Sequence, residues 1–120
     1  RNEKMACFTT SSYYITGCTD ANTYTKTATS VDFQMKGAST GGVELDYKVC
    51  LQKYDSYNGW TNWECKYGSF LHTTDIIVFS LTNRRPPQGS YRIKVDFNEG
   101  APAGSAIGHF TLVTSTFIIQ

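Results

Sequence analysis

Charge is scarce in this chain. Only 18% of its 120 residues are Asp, Glu, Lys or Arg, and the net charge is +1. A nucleic-acid binder needs a clear excess of Lys and Arg to displace counterions from phosphates. The local pair Arg84-Arg85 is too small to supply that excess, so no nucleic-acid partner is expected. No run of about 20 apolar residues occurs, so no membrane-spanning segment is expected. The chain opens on Arg1-Asn2-Glu3-Lys4, with neither an initiator Met nor a signal-like apolar stretch. That start reads as a mature terminus left after signal-peptide removal, or as an artificial boundary.

The signatures of catalysis are missing too. There is no H-E-x-x-H, P-loop, G-x-G-x-x-G or EF-hand loop. His72, in Phe70-Leu71-His72-Thr73-Thr74, and His109, between Gly108 and Phe110, read as surface or structural groups. The carboxylates Glu44, Asp46, Asp55 and Glu64 read as solvated strand faces rather than an acid–base pair. No C-x-x-C exists and neither histidine is near a cysteine in sequence, which argues against zinc. The chain is therefore read as non-enzymatic, with no catalytic residue, cofactor or metal. No N-x-S/T sequon occurs, so N-glycosylation is not expected.

What the chain does have is Thr, Ser, Tyr, Asn, Gly and four cysteines. Branched and aromatic side chains suit a pleated, half-buried surface. An even cysteine count in a small chain suggests two disulfides and an oxidising, secreted or extracellular setting. Three pairings of Cys7, Cys18, Cys50 and Cys65 are possible. Cys7–Cys18 and Cys50–Cys65 are favoured because each pair flanks one short excursion of chain.

Alternation of apolar and polar residues dominates the patterning. Val43, Leu45, Tyr47, Val49 and Leu51 share one face, opposite Glu44, Asp46, Lys48, Cys50 and Gln52. Tyr91, Ile93, Val95 and Phe97 alternate with Arg92, Lys94 and Asp96, and Val31, Phe33 and Met35 form a shorter case. Trp63, Cys65 and Tyr67 share a face against Asn62, Glu64 and Lys66. The run from Asp75 to Leu81 is apolar on both faces and predicts a central, fully covered strand. A long apolar tail runs from Ile107 to Ile119. Turn signals stand at 37–42, Tyr57-Asn58-Gly59, 83–89 and 98–104. No window shows helical periodicity with a cap, although one turn within the first 25 residues is allowed. Strands and turns at roughly 10-residue intervals predict one antiparallel sandwich or barrel spanning 1–120.

One stretch carries a more specific shape. Leu81-Thr82-Asn83-Arg84-Arg85-Pro86-Pro87-Gln88-Gly89-Ser90-Tyr91 runs from a strand through a proline-glycine corner to a tyrosine opening the next strand. It resembles the corner before the penultimate strand of immunoglobulin-like and fibronectin-like sandwiches, where a tyrosine hydroxyl bonds back to the backbone. The resemblance implies an all-β, single antiparallel β-sandwich, to which the cysteine spacing adds two local disulfides. It implies architecture, not activity. Unlike antibody domains, the chain has no cysteine two residues after Tyr91, so no inter-sheet disulfide is expected.

The contact candidate is the hairpin Tyr54-Asp55-Ser56-Tyr57-Asn58-Gly59-Trp60-Thr61-Asn62-Trp63, with four aromatics in ten residues. Flat rings stack on sugars or protein side chains, and the neighbouring amides and carboxylate orient polar groups. The candidate ligand-binding set is Tyr54, Asp55, Tyr57, Asn58, Trp60 and Asn62. Trp63 is the better core residue; Tyr57 and Trp60 the better exposed ones. Arg84 and Arg85 form a lesser candidate for an acidic partner. The expected function is a secreted, non-catalytic binding module for glycan or extracellular protein. The alternatives are an inhibitor or effector that blocks an enzyme with an exposed loop, or an extracellular structural protein.

Overall fold

The computed structural model describes residues 5–37, 44–99 and 110–120. Among them the chain forms ten strands and no helix: β1 (Cys7–Thr9), β2 (Ile15–Thr19), β3 (Thr23–Tyr24), β4 (Ser30–Gly37), β5 (Leu45–Asp55), β6 (Gly59–Phe70), β7 (Ile77–Ser80), β8 (Gly89–Glu99), β9 (Phe110–Val113) and β10 (Phe117–Ile119). The turns expected at 37–42 and 98–104, the opening residues Arg1–Lys4, Val43 and His109 fall wholly or partly outside the described residues.

Two sheets face each other. The smaller has the order β1-β2-β4-β7; the larger has β3-β10-β8-β5-β6, with β9 also on β8. The long strand β8 organises the larger sheet. Along one edge it pairs with β5 from Tyr91↔Lys53 to Glu99↔Leu45. Along the other it pairs with β10 near its start and with β9 near its end. The apolar tail is therefore two short strands set end to end on β8, not one. The chain passes from β4 to the other sheet for β5 and β6, returns for β7, and crosses again for β8. This partition matches the immunoglobulin-like arrangement of strands B and E against C, F and G.

Period-2 alternation explains why these segments pair as they do. The inner residues of β4 (Val31, Phe33, Met35), β5 (Leu45, Val49, Leu51) and β8 (Tyr91, Ile93, Val95, Phe97) are fully buried. Each large apolar side chain removed from water contributes about 1.5–3 kcal/mol. Rings line both ends of the core. At one end Tyr13, Phe110, Phe97, Phe70 and Tyr47 contact in sequence, with Phe97 stacked 4.7 Å from Phe110. At the other, Phe117 lies between Tyr24 and Tyr91. Gly17 is a tight point of this core, because a Cβ there would come within 2.6 Å of the Phe33 ring.

The corner forms as expected. Tyr91 is wholly buried and its hydroxyl donates to the Pro87 carbonyl. Both disulfides also have the expected pairing, and neither joins the two sheets. Cys7–Cys18 links directly opposed residues of β1 and β2, and Cys50–Cys65 links directly opposed residues of β5 and β6. Their Cα separations of 4.2 and 4.1 Å suit the close, non-hydrogen-bonded positions of an antiparallel ladder.

Two expectations are corrected. The 75–81 segment is not a covered central strand: β7 is an edge strand, with Ile77 and Phe79 inward and Ile76 and Val78 exposed. An apolar outer stripe beside an apolar inner one imitates two-sided burial. Trp63 does not share a face with Cys65 and Tyr67. Leu51 opposes Glu64 while Gln52 opposes Asn62, so Trp63 is the extra residue of a β-bulge. The bulge turns Trp63 against the core and leaves Tyr67 largely exposed. Among the described residues up to 25, where the sequence allows one helical turn, the chain forms three strands. Their β1–β2 hairpin carries Tyr13 and Tyr14 at φ of 60° and 50°, a left-handed pair that bulky residues adopt only under strain.

A recurring device ends the ladders. Thr10, Thr19, Thr74 and Thr114 are all buried and lie at or beside strand ends. Each donates its own N–H to the carbonyl of a partner residue and accepts that partner's N–H on its side-chain oxygen. The partners are Ile15, Ala6, Met35 and Ile93 respectively. Where the backbone carbonyl turns away, the hydroxyl replaces it and no buried N–H is stranded. Threonine is suited to this because its methyl group also fills the pleat.

Candidate binding face

The outer face of the larger sheet is built from the polar alternate positions of β5, β6 and β8. Its disulfide, Cys50–Cys65, sits mid-face. Toward the β5–β6 turn the face carries Gln52 and Tyr54 from β5, Trp60 and Asn62 from β6, and Arg92 from β8. Register brings them together: Gln52 opposes Asn62 on one side and Arg92 on the other, and Tyr54 opposes Trp60.

Contacts confirm a single cluster. The Trp60 ring packs edge-to-face with Tyr54 at 5.3 Å between centroids. The Arg92 guanidinium lies over the same indole, 4.4 Å from its centroid. Arg92 Nε donates to Gln52 Oε1 at 2.8 Å, and Gln52 Nε2 donates to Asn62 Oδ1 at 2.9 Å. Partial burial lowers the pKa of Arg92 from its usual value.

The turn beyond this cluster is a three-residue loop between Asp55 and Gly59. Gly59 takes φ of +71°, a left-handed conformation available to glycine at little cost. Asp55 Oδ1 accepts the Tyr57 N–H at 2.7 Å, so this carboxylate shapes the turn. Tyr57 is 95% exposed, while Trp60 is only half-exposed because Tyr54 and Arg92 cover it. Asn58 is exposed at the tip. Of the six residues expected at a site, Tyr54, Trp60 and Asn62 share the sheet face, whereas Asp55, Tyr57 and Asn58 belong to the turn. Sequence reasoning missed Gln52 and Arg92. Their polar outward positions were visible, but their neighbours were not.

The two corner arginines are structural staples. Arg84 lies over the Trp63 ring at 4.0 Å and donates to its carbonyl. Arg85 donates to the carbonyls of Ala28, Thr25 and Gln120, tying the 25–28 turn to the end of β10. On the opposite sheet, a trough of about 310 Å³ is lined by Met5, Cys18, Gln34 and Ile76 among others. The acids at its rim serve internal bonds: Asp20 accepts from the Tyr24 hydroxyl and the Asp32 N–H, and Asp32 accepts from Ser30. Among the described residues no three His, Cys, Asp or Glu side chains converge to hold a metal ion, and no helix is long and apolar enough to cross a membrane.

No curated protein and no solved structure matches this chain significantly. One family model does, and it spans nearly every residue. On a two-sheet, disulfide-bonded, immunoglobulin-like architecture, that match over residues 2–120 shows that the chain belongs to the family described as the YqgA MG2 macroglobulin domain.

Proposed function

We propose that this macroglobulin domain is a non-catalytic binding module that engages an extracellular protein through the hairpin end of its larger sheet. The observation that carries the reading is the position of Trp60. A tryptophan of the core contributes most when fully covered. Trp60 instead stands on the outer face, held from the side by Tyr54 and Arg92, next to the fully exposed Tyr57. Trp, Tyr and Arg are the residues that dominate interface hot spots. The disulfide Cys50–Cys65 braces the base of the same hairpin, which supports a rigid platform and an oxidising compartment. Protein is favoured over neutral glycan because Arg92 covers an indole face that a sugar would use for stacking.

The test places a photo-crosslinking amino acid at Tyr57, with Tyr14 on the distant hairpin as control, in the extracellular fluid of the producing cells. A defined adduct from position 57 should be competed away by excess unmodified domain. It should survive excess of a Tyr57→Ala, Trp60→Ala double variant that melts like the parent. Equal competition by that variant, or no adduct at position 57, overturns the proposal. A large fall in the variant's melting temperature would assign these rings to stability instead.

A further inference from the structure

The polar relay beneath Trp60 has a fixed polarity. Arg92 Nε can only donate, so Gln52 must present its oxygen to Arg92 and its amide nitrogen to Asn62. Asn62 therefore presents its oxygen to Gln52, and its own nitrogen is turned away from the relay. Among the described residues the terminal nitrogens of Arg92 have no hydrogen-bond or ion-pair partner; their guanidinium contacts only the Trp60 ring and, through Nε, Gln52. Both open ends of the relay are thus donors. A row of donors fits a group that only accepts, and among side chains that group is an ionised carboxylate.

We propose that the donor edge formed by Arg92 and Asn62 receives the carboxylate of an Asp or Glu side chain on the protein partner. This rests on the binding role argued above and gives it a chemistry.

Charge on the face agrees. The register neighbours of Arg92 and Lys94 in the adjoining strands are neutral: Gln52, Cys50 and Val113. The acids of this face lie toward its other end. Asp96 is four residues along β8, about 13 Å away, and pairs in register with Lys48; Asp46 is farther still, opposite Asn98. Asp55 is engaged with the Tyr57 N–H, and Glu64 with Lys66. Among the described residues the hairpin end is therefore net positive, with Lys53, Arg92 and Lys94 against the carboxylate of Asp55. Burial also draws Arg92 below its ordinary pKa, although a guanidinium stays protonated.

The arginine is ordered before any partner arrives. Its plane rests on Trp60 and its Nε is fixed by Gln52, which is itself buried. A fork already oriented loses little freedom when a carboxylate docks, which distinguishes it from a flexible lysine.

The test is an NMR titration of the whole isotope-labelled domain, following the Arg92 Nε–H, the Asn62 side-chain amide and the Trp60 indole N–H. The probes are a blocked tetraglutamate peptide, the matching tetraglutamine and an oligogalacturonate. Tetraglutamate should shift these signals saturably and tetraglutamine should not. Arg92→Lys, which keeps the charge but loses the fork, should weaken the response by about tenfold or more. Lys36→Gln on the opposite sheet should leave it unchanged. Equal response to tetraglutamine, no response to tetraglutamate, or undiminished binding by a folded Arg92→Lys overturns the proposal. A response to oligogalacturonate alone also overturns it and identifies an acidic glycan as occupant. The Tyr57 crosslinking separates the two readings. If adduct formation is competed by the parent domain while the peptide test fails, the contact surface stands and the carboxylate chemistry falls. If the parent does not compete, both fall.

Discussion

Replacing Thr114 by valine removes one oxygen and keeps the shape of the side chain. Thr114 lies between β9 and β10, where the strand beside β8 is interrupted, and it is buried. Its N–H donates to the Ile93 carbonyl, and its hydroxyl oxygen accepts the Ile93 N–H at 3.0 Å. Valine leaves the Ile93 N–H buried with no acceptor. Leaving a buried donor unsatisfied costs about 1–3 kcal/mol, against a total stability of roughly 5–15 kcal/mol for a domain of this kind. Valine has at least the strand preference of threonine, so propensity does not add to the loss. At roughly 4 °C per kcal/mol for this size, the melting temperature should fall by about 4–12 °C. Thr74→Val should behave alike through the Met35 N–H. The two sites serve different sheets and share no partner, so the double variant should be additive within about 0.5 kcal/mol. Thr111→Val, at an exposed position of β9, is the control and should change little. Thr114→Ser restores the acceptor and should recover much of the loss. Urea unfolding with intact disulfides gives the free energies. If Thr114→Val unfolds at the parent's midpoint while Thr111→Val does too, the hydroxyl is not what satisfies the ladder, and the account of the buried threonines is wrong.

Three further outcomes follow from the same geometry. Tyr91→Phe should cost about 1–2 kcal/mol in urea unfolding, because the Pro87 carbonyl loses its donor at the corner; an unchanged midpoint refutes the corner's contribution. Tyr14→Gly should stabilise the domain, since it removes about 1 kcal/mol of left-handed strain at an exposed position; loss of stability in a thermal melt would show that the ring makes up for the strain. Alkali should destabilise the fold: burial lifts Tyr91 to about 12 and also raises Tyr24 and Tyr47 above the ordinary phenol value. Below about pH 10 both states keep these protons and stability is flat; above it the unfolded chain releases them while the folded chain holds them, so stability falls as pH rises toward 12. A urea midpoint that does not move between about pH 9 and 11 contradicts this.

Much of the core could be read directly from the chain, for a simple reason. In β4, β5 and β8 the inner positions from Val31 to Met35, Leu45 to Leu51 and Tyr91 to Phe97 are all large and apolar and nearly every outer one polar, so period 2 is unmistakable. The corner was legible because Pro86, Pro87 and Gly89 restrict the backbone locally, and the disulfides because each closes a short loop. The N-terminal strands were not, because β2 turns Ile15, Gly17 and Thr19 inward, and glycine and threonine do not look like core. Gly17 is small only because the Phe33 ring, sixteen residues away in sequence, occupies the space. β7 misled in the opposite sense through its exposed Ile76 and Val78. The hairpin aromatics were visible as a local cluster. Arg92 was not, because it lies 40 residues from Gln52 and only the β5–β8 register unites them.

That register also explains how one small domain keeps a stable core and a specific surface apart. Two outer residues of the cluster are adjacent in sequence to inner ones that fix them: Leu51 beside Gln52, and Tyr91 and Ile93 on either side of Arg92. The backbone bearing Gln52 and Arg92 cannot shift without disturbing side chains that are wholly buried. A site on strands so anchored is more exact than one on a free loop. The outer side chains can nonetheless change without altering the packing beneath, because alternation directs them away from it. The β5–β6 turn differs: Tyr57 and Asn58 have no such backing, and only Asp55 and Gly59 hold their backbone. The face should therefore contribute directional selection through Arg92, Gln52 and Asn62, while the turn contributes adaptable contact area through Tyr57. Recognition that needs both would place the partner over the edge where sheet face and turn meet, above Tyr54 and Trp60.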